Sequence, residues 1–209
     1  MPHDLAYVRI TSADTDAFAQ FFAIYEASMP ASERKPRDVI ATLVRRPDYH
    51  VLGLTADNAV IAFLIVFVSA TESISMLEYM ATTDAERNRG LGAQLFAKAA
   101  ELVGSRPMLV EVDSEREDTP DQSWRRRRKQ FYIRNGCRQL PNLDYFMPLV
   151  GDATPPVMDL LLYWPAHDDA PTPSLVRRWL ECVYAEVYGC ARNDPRIETM
   201  VREYAGGSG

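Results

Sequence analysis

Short apolar runs alternate along the chain with segments whose apolar residues recur every three or four positions, and the two periods mark different elements. Tyr7 to Ile10 predicts a first strand. Phe18, Phe21, Phe22 and Tyr25 then recur at helical spacing behind Asp14 or Thr15, either of which can cap, and Pro30 closes that helix. A polar loop, Ala31 to Pro36, leads into a second helix over Asp38 to Arg46, ended by Pro47. Tyr49 to Thr55 and Val60 to Ser69 are apolar, β-branched runs on either side of Ala56-Asp57-Asn58, the composition of a hairpin turn, and Ile74 to Thr82 is a third run. Leu91, Leu95, Ala99, Leu102 and Val103 form one helical face, which Gly104 can cap. Met108 to Val112 predicts a strand and Gln122 to Asn135 a helix closed by Gly136. Leu143 to Val150 and Val157 to Trp164 predict two last strands, joined by the Pro-rich segment Gly151 to Pro156.

The order β-α-α-β-β-β-α-β-α-β-β implies an α/β (α+β) fold, a mixed and mostly antiparallel sheet flanked by helices. The segment from Ile74 to Val112 is its right-handed parallel crossover. Composition shifts after Pro165. Ala166 to Pro173 reads as a linker, and Ser174 to Tyr188 as a helix with Leu175, Trp179, Leu180, Val183 and Val187 on one face. That face must pack on this sheet or on another subunit, so a homodimer stays open. The chain thus divides into a domain over 1–165 and a C-terminal helical extension over 166–209, with a flexible end from Gly206.

Composition narrows the function classes. The 209 residues are 47% hydrophobic and 25% charged, ordinary for a folded protein. A net charge of −6 argues against nucleic acid as the partner and favours cationic substrates such as amines. Cys137, Cys182 and Cys190 contain no C-x-x-C pair and read as reduced thiols in a cytoplasmic protein. His3, His50 and His167 lack metal-ligand spacing, so no metal is expected. No signal sequence opens the chain, and the apolar stretch Ala59 to Val68 is about half of a membrane span, so no membrane partner is expected.

The informative chemistry lies where the third apolar run meets the next helix, in Arg87-Asn88-Arg89-Gly90-Leu91-Gly92. Glycines let the backbone turn tightly, so that successive N–H groups converge on one point at a helix N-terminus, a natural cradle for a pyrophosphate. Arg87 and Arg89 add positive charge. A P-loop would need Gly-Lys-Ser/Thr, and a dinucleotide fold a G-x-G-x-x-G spacing; neither is present. An ordinary strand-to-helix turn stays open from the loop alone.

The R-x-x-G-x-G pattern after the run Leu77 to Thr82 resembles the coenzyme A-binding motif of the GNAT family, the Gcn5-related N-acetyltransferases. Gln130-Phe131-Tyr132-Ile133-Arg134-Asn135-Gly136-Cys137 is similar to the family's second signature, with cysteine in place of its last aromatic. The resemblance spans about Tyr7 to Trp164. It implies an N-acetyltransferase that moves an acetyl group from acetyl-CoA to a primary amine of a small molecule or peptide, by direct attack in a ternary complex and without a metal. It also implies a parallel strand pair that splays.

By the same resemblance, the backbone amides of Arg87, Asn88, Arg89, Gly90, Leu91, Gly92 and Ala93 hold the pyrophosphate, and Met80 and Thr82 bond the pantetheine as an added strand would. The amine is expected to approach beside the loops after Pro30 and Pro141. Tyr132 matches the family's general acid; its alternative is a packed aromatic beside Phe131. Glu78, a carboxylate in an apolar strand, is the base candidate, against a solvated face or an ion pair with an arginine. Asp113 and Glu115 can hold a cationic substrate or belong to a solvated acidic loop, and Glu33 is a further substrate contact. Arg125 stands where many members carry a cofactor-binding asparagine. The run Arg125 to Lys129 either reaches the 3′-phosphate or forms a solvated face. Rival readings are transfer of a different acyl group and a non-catalytic acyl-CoA-binding module.

Overall fold

A computed structural model of the chain describes residues 4–31, 33–148, 157–165 and 167–206. Its strands follow the order β1-β2-β3-β4-β5-β7-β6 in a mixed, mostly antiparallel sheet. The chain forms two compact units, Met1–Val68 with Leu77–Gly104, and Ser69–Met76 with Ser105–Gly209.

The first unit contains β1 (Leu5–Arg9), α1 (Asp16–Ser28), α2 (Arg37–Leu43), β2 (Tyr49–Ala56), β3 (Ala59–Val68), most of β4 (Ser75–Thr82) and α3 (Leu91–Val103). β1, β2 and β3 pair antiparallel, Tyr7 facing Leu54 and Leu52 facing Leu64. The β2–β3 turn places Asp57 and Asn58 at φ 51° and 67°, the tight mirror-image turn that suits the twist of a hairpin. Of the two candidate caps on α1, Thr15 does the work: its hydroxyl accepts the Phe18 N–H at 3.1 Å. The predicted aromatic stripe of α1 is buried, with Phe21 edge-on to Phe63 of β3 at 5.0 Å. α2 stops at Leu43, three residues before the expected Arg46. There the chain tightens into i→i−3 bonds, Arg45 to Thr42 and Arg46 to Leu43, because Pro47 disfavours a helical Arg46. α3 has the predicted bounds and buries Leu91, Leu95, Phe96, Ala99 and Val103.

The second unit contains the first two residues of β4, β5 (Met108–Asp113), α4 (Gln122–Arg134), β6 (Cys137–Gln139), β7 (Met158–Tyr163), α5 (Pro173–Glu186) and α6 (Pro195–Gly206). β7 lies between β5 and β6 and runs antiparallel to both. Ser75 donates both its N–H and its hydroxyl to the carbonyl of Pro107, so β4 and β5 start side by side, as a parallel crossover requires. The three residues of β6 are too few to show a period and carried no sequence signal.

The strand expected over Leu143 to Val150 does not form in its described part. Residues 143–148 make one isolated bridge, Tyr145 with Met158. Side chains occupy the local backbone instead: the Tyr184 hydroxyl donates to the Phe146 carbonyl, and the Phe146 N–H faces Met200 Sδ at 3.4 Å. Residues 149–150 and the Pro-rich joint after them lie outside the described residues. α5, with Thr172 as N-cap and Pro173 at its first position, buries Val176, Trp179, Leu180, Cys182, Val183 and Tyr184 within this unit. Its C-terminal Glu186 accepts from Ser69 at 3.1 Å and Thr71 at 2.6 Å, and Arg177 pairs with Glu198 of α6 at 2.7 Å. Gly206 is the last residue of α6; the remainder of the expected flexible end lies outside the described residues.

Candidate functional site

In the first unit β4 is buried at its start and opens toward its end, where Met80, Ala81 and Thr82 are partly exposed. The Thr83 N–H then bonds the Ile61 carbonyl at 2.8 Å, and a single 3₁₀ turn, Asp84–Glu86, leads to the loop. Asn88 (φ 63°) and Gly90 (φ 80°) both adopt the left-handed region, and Gly90 is the N-cap of α3. A glycine cap offers no side-chain acceptor, and the first turn of α3 carries no acidic residue. The first N–H groups of the helix therefore point outward with the positive end of its dipole. A Cβ placed on Gly90 would meet nothing within 4 Å, so backbone conformation alone demands glycine and the space before the helix is open. Arg87 pairs with Asp84 at 2.7 Å and Arg89 with Glu86 at 3.2 Å, both arginines more than half exposed. Such exposed pairs are weak tethers, about 0–1 kcal/mol each. Together these groups can hold a polyanion.

Two residues before the opening of β4, Glu78 is nearly sealed off, its side chain 3% exposed. The ammonium of Lys35 donates to Oε1, and Oε2 is buried without a hydrogen-bond partner among the described residues. The ion pair anticipated for Glu78 thus exists, with a lysine and not an arginine. Lys35 was not singled out in the sequence; the available signal was that a carboxylate in an apolar strand needs a cation. Its loop is fixed to β4 and α1. The Tyr25 hydroxyl accepts the Lys35 backbone N–H at 2.7 Å, the Tyr79 hydroxyl donates to the Glu33 carbonyl at 2.7 Å, and the two rings meet edge-on at 5.0 Å. Loop residues 87–93, Met80, Thr82, Glu78 and Glu33 therefore share the frame of β4.

Tyr132, Asp113 and Glu115 belong to the second unit, taken by itself. Tyr132 is 4% exposed and packs edge-on to Phe131 at 5.1 Å. Burial raises its phenol above the usual value of 10, the neighbouring Arg128 opposing, so it is protonated at neutral pH. The basic run of α4 meets acids at the exit of β5. Arg125 bonds Glu117 at 2.9 Å and Asp121 at 3.1 Å; Arg128 reaches Asp113 at 3.4 Å. Lys129 bonds Asp159 at 2.9 Å and faces Glu115 at 3.7 Å. Arg126 and Arg127 are exposed, the latter over the Trp124 ring at 5.6 Å. Asp159, fully buried in β7, was not singled out in the sequence either, although a carboxylate among apolar strand residues was again the available signal. Arg116, Gln139, Asn142, Leu143, Asp144 and Glu203 line a cavity of about 490 Å³ that contains none of the predicted site residues. Among the described residues no group of three or more His, Cys, Asp or Glu is placed to hold a metal ion, and no helix is long and apolar enough to cross a membrane.

Neither a family profile nor a curated protein sequence matches the chain. Solved structures do. A GNAT-family protein of Bacteroides thetaiotaomicron superposes with a TM-score of 0.72 at 22% identity, over 88% of this chain and 98% of that one. A GNAT-family protein of Desulfovibrio desulfuricans gives 0.54 at 21% identity, over 76% and 96%. A Bacillus subtilis acetyltransferase in complex with CoA gives 0.50 at 11% identity, over 76% and 97%. At these identities the likeness establishes the fold.

Proposed function

We propose that this chain, which has the fold of the GNAT acetyltransferases, transfers an acetyl group from acetyl-CoA to a primary amine in a ternary complex. The observation that carries the reading is the start of α3: a helix N-terminus capped by a left-handed glycine, open in front, with Arg87 and Arg89 beside it. Its outward N–H groups suit the pyrophosphate, and Met80 and Thr82, at the partly exposed end of β4, suit the amide-bearing pantetheine arm. When bound, the cosubstrate supplies an acyl carbon activated as a thioester.

The protein's part is to move protons. The amine nitrogen forms its bond to the acyl carbon while the carbon–sulfur bond breaks. Glu78 takes the proton that the amine loses, directly or through a water. Tyr132 gives a proton to the departing thiolate, and solvent restores both groups. Burial keeps the Tyr132 proton in place at neutral pH, so it is available when the thiolate departs. The transfer is uphill for so weak an acid and is completed as solvent protonates the thiolate or the freed thiol leaves. Glu33 and the net charge of −6 favour a cationic acceptor; Asp113 and Glu115, which face Arg128 and Lys129, would have to exchange those partners to contact it. One observation favours the rival, a non-catalytic acyl-CoA-binding module: the base candidate is already engaged by Lys35.

Thermal unfolding with acetyl-CoA tests the binding half. At a hundred times the dissociation constant the ligand adds about 2.7 kcal/mol, roughly 5–11 °C at this chain length. Thiol release with a panel of amines then separates the two readings. An enzyme carrying Tyr132→Phe loses turnover by about 10²-fold and keeps its acetyl-CoA shift, whereas a binding module has no turnover to lose. No thermal shift at millimolar acetyl-CoA would refute the cofactor itself.

A further inference from the structure

The ammonium of Lys35 and the carboxylate of Glu78 form a pair with side chains 9% and 3% exposed, and the pair is asymmetric. Oε1 takes the ammonium, while Oε2 is shut away from solvent with no donor among the described residues. A buried acceptor without a donor is costly and rare in folded proteins, so a donor from a ligand or a water would be favoured at Oε2. The pair itself is weak as a stabilising device, because desolvating two charges offsets most of their attraction.

Lys35 is also held in place with unusual thoroughness for a loop lysine. Its backbone N–H is fixed by the Tyr25 hydroxyl at 2.7 Å, the preceding Glu33 carbonyl by the Tyr79 hydroxyl at 2.7 Å, and Pro36 follows it. Its Nζ lies 5.8 Å from the centroid of the Tyr79 ring, whose face favours a cation. The loop, α1 and β4 all contribute to one outcome, the direction in which the Glu78 carboxylate points.

Resting on the reading of Glu78 as the base, we propose that Lys35 is a positioning residue of the transfer reaction: it occupies one oxygen of Glu78 and leaves Oε2 as the single acceptor for an N–H of the incoming amine or of a water bound to it. The engagement of Glu78 by Lys35 is then part of the site. The proton moves from nitrogen to Oε2 as the nitrogen–carbon bond forms and the carbon–sulfur bond breaks, and Lys35 keeps its own protons throughout.

The test compares Lys35→Met and Lys35→Arg in the full chain, with spermidine, lysine and alaninamide as the amines. Lys35→Met should lower kcat about 10²-fold with KM for acetyl-CoA and its thermal shift nearly unchanged, and Lys35→Arg should restore most of the loss. Adding Glu78→Gln to Lys35→Met should cost little more, since the two act as one unit. Turnover by Lys35→Met within about threefold of the parent, or an equal loss in both Lys35 variants, overturns the proposal. Absence of the acetyl-CoA shift in the parent protein would instead overturn the function on which it rests. An activity-independent readout covers a protein that acetylates none of the three amines: the ¹³C carboxyl resonance of Glu78, assigned by its disappearance in Glu78→Gln. It should move in Lys35→Met and return in Lys35→Arg; a resonance unmoved by Lys35→Met refutes the pairing.

Discussion

Gly90 separates two properties that usually change together, the stability of the fold and its affinity for a ligand. It opens α3 at φ 80°, and a Cβ built on it meets no atom within 4 Å. In Gly90→Ala the cost to the free protein is therefore backbone strain alone, about 1–2 kcal/mol for an L-residue in the left-handed region. At roughly 2–4 °C per kcal/mol for a chain of this size, the unfolding midpoint should fall by about 2–8 °C. Gly90→Asn should fall less, because asparagine tolerates that region. On the proposed function, however, the empty space around the Cβ is where a phosphate would approach the first N–H groups of α3. Each methyl placed there displaces the ligand, so the acetyl-CoA shift should shrink well below its parental 5–11 °C at the same concentration. Differential scanning fluorimetry of the three proteins, each with and without acetyl-CoA, reads both quantities. An unchanged acetyl-CoA shift in Gly90→Ala would show that the loop is a structural turn. A loss of free-protein stability far above 8 °C would show that the space before α3 is filled.

The buried charges of the second unit give a sharper stability test. Lys129→Met leaves Asp159, 0% exposed, without its 2.9 Å partner and should destabilise by about 3–5 kcal/mol in urea unfolding, whereas Lys129→Met combined with Asp159→Leu should recover most of that loss. A single variant as stable as its parent would mean that Arg116, 3.3 Å from the same carboxylate, suffices. Burial pushes the Cys137 thiol up to about 12 and Cys182 up to about 11 from an ordinary 9.0. Both raised values favour the protonated folded state, so their stabilisation is full below pH 9 and is lost as pH climbs toward 12. The unfolding midpoint should therefore decline through that window, and less steeply in Cys137→Ala. Iodoacetamide at pH 8 with peptide mass spectrometry should label the partly exposed Cys190 before the two buried thiols.

Local periodicity was enough wherever an element was long and its neighbours were generic. α3 has its predicted bounds, the β2–β3 hairpin turns at Asp57-Asn58, and the glycine loop sits at a helix N-terminus, because each depends on residues close in sequence. The crossover rule predicted only the parallel pairing of β4 and β5; the GNAT-like arrangement was implied by the resemblance of two local motifs, Arg87 to Gly92 and Gln130 to Cys137, to those of the family. Where a segment's backbone partners come from distant residues, pattern failed. Leu143 to Met147 looks like a strand, yet Tyr184 and Met200, some forty and more positions later in the chain, take the bonds a neighbouring strand would have offered. The buried charges show the same division. Glu78 and Asp159 each stand out in an apolar strand, so the sequence by itself marks them as needing partners. That the partners are Lys35 and Lys129 was decided by the tertiary structure, because a lysine in a polar loop and one in a basic run look alike until the fold removes water from one face of each.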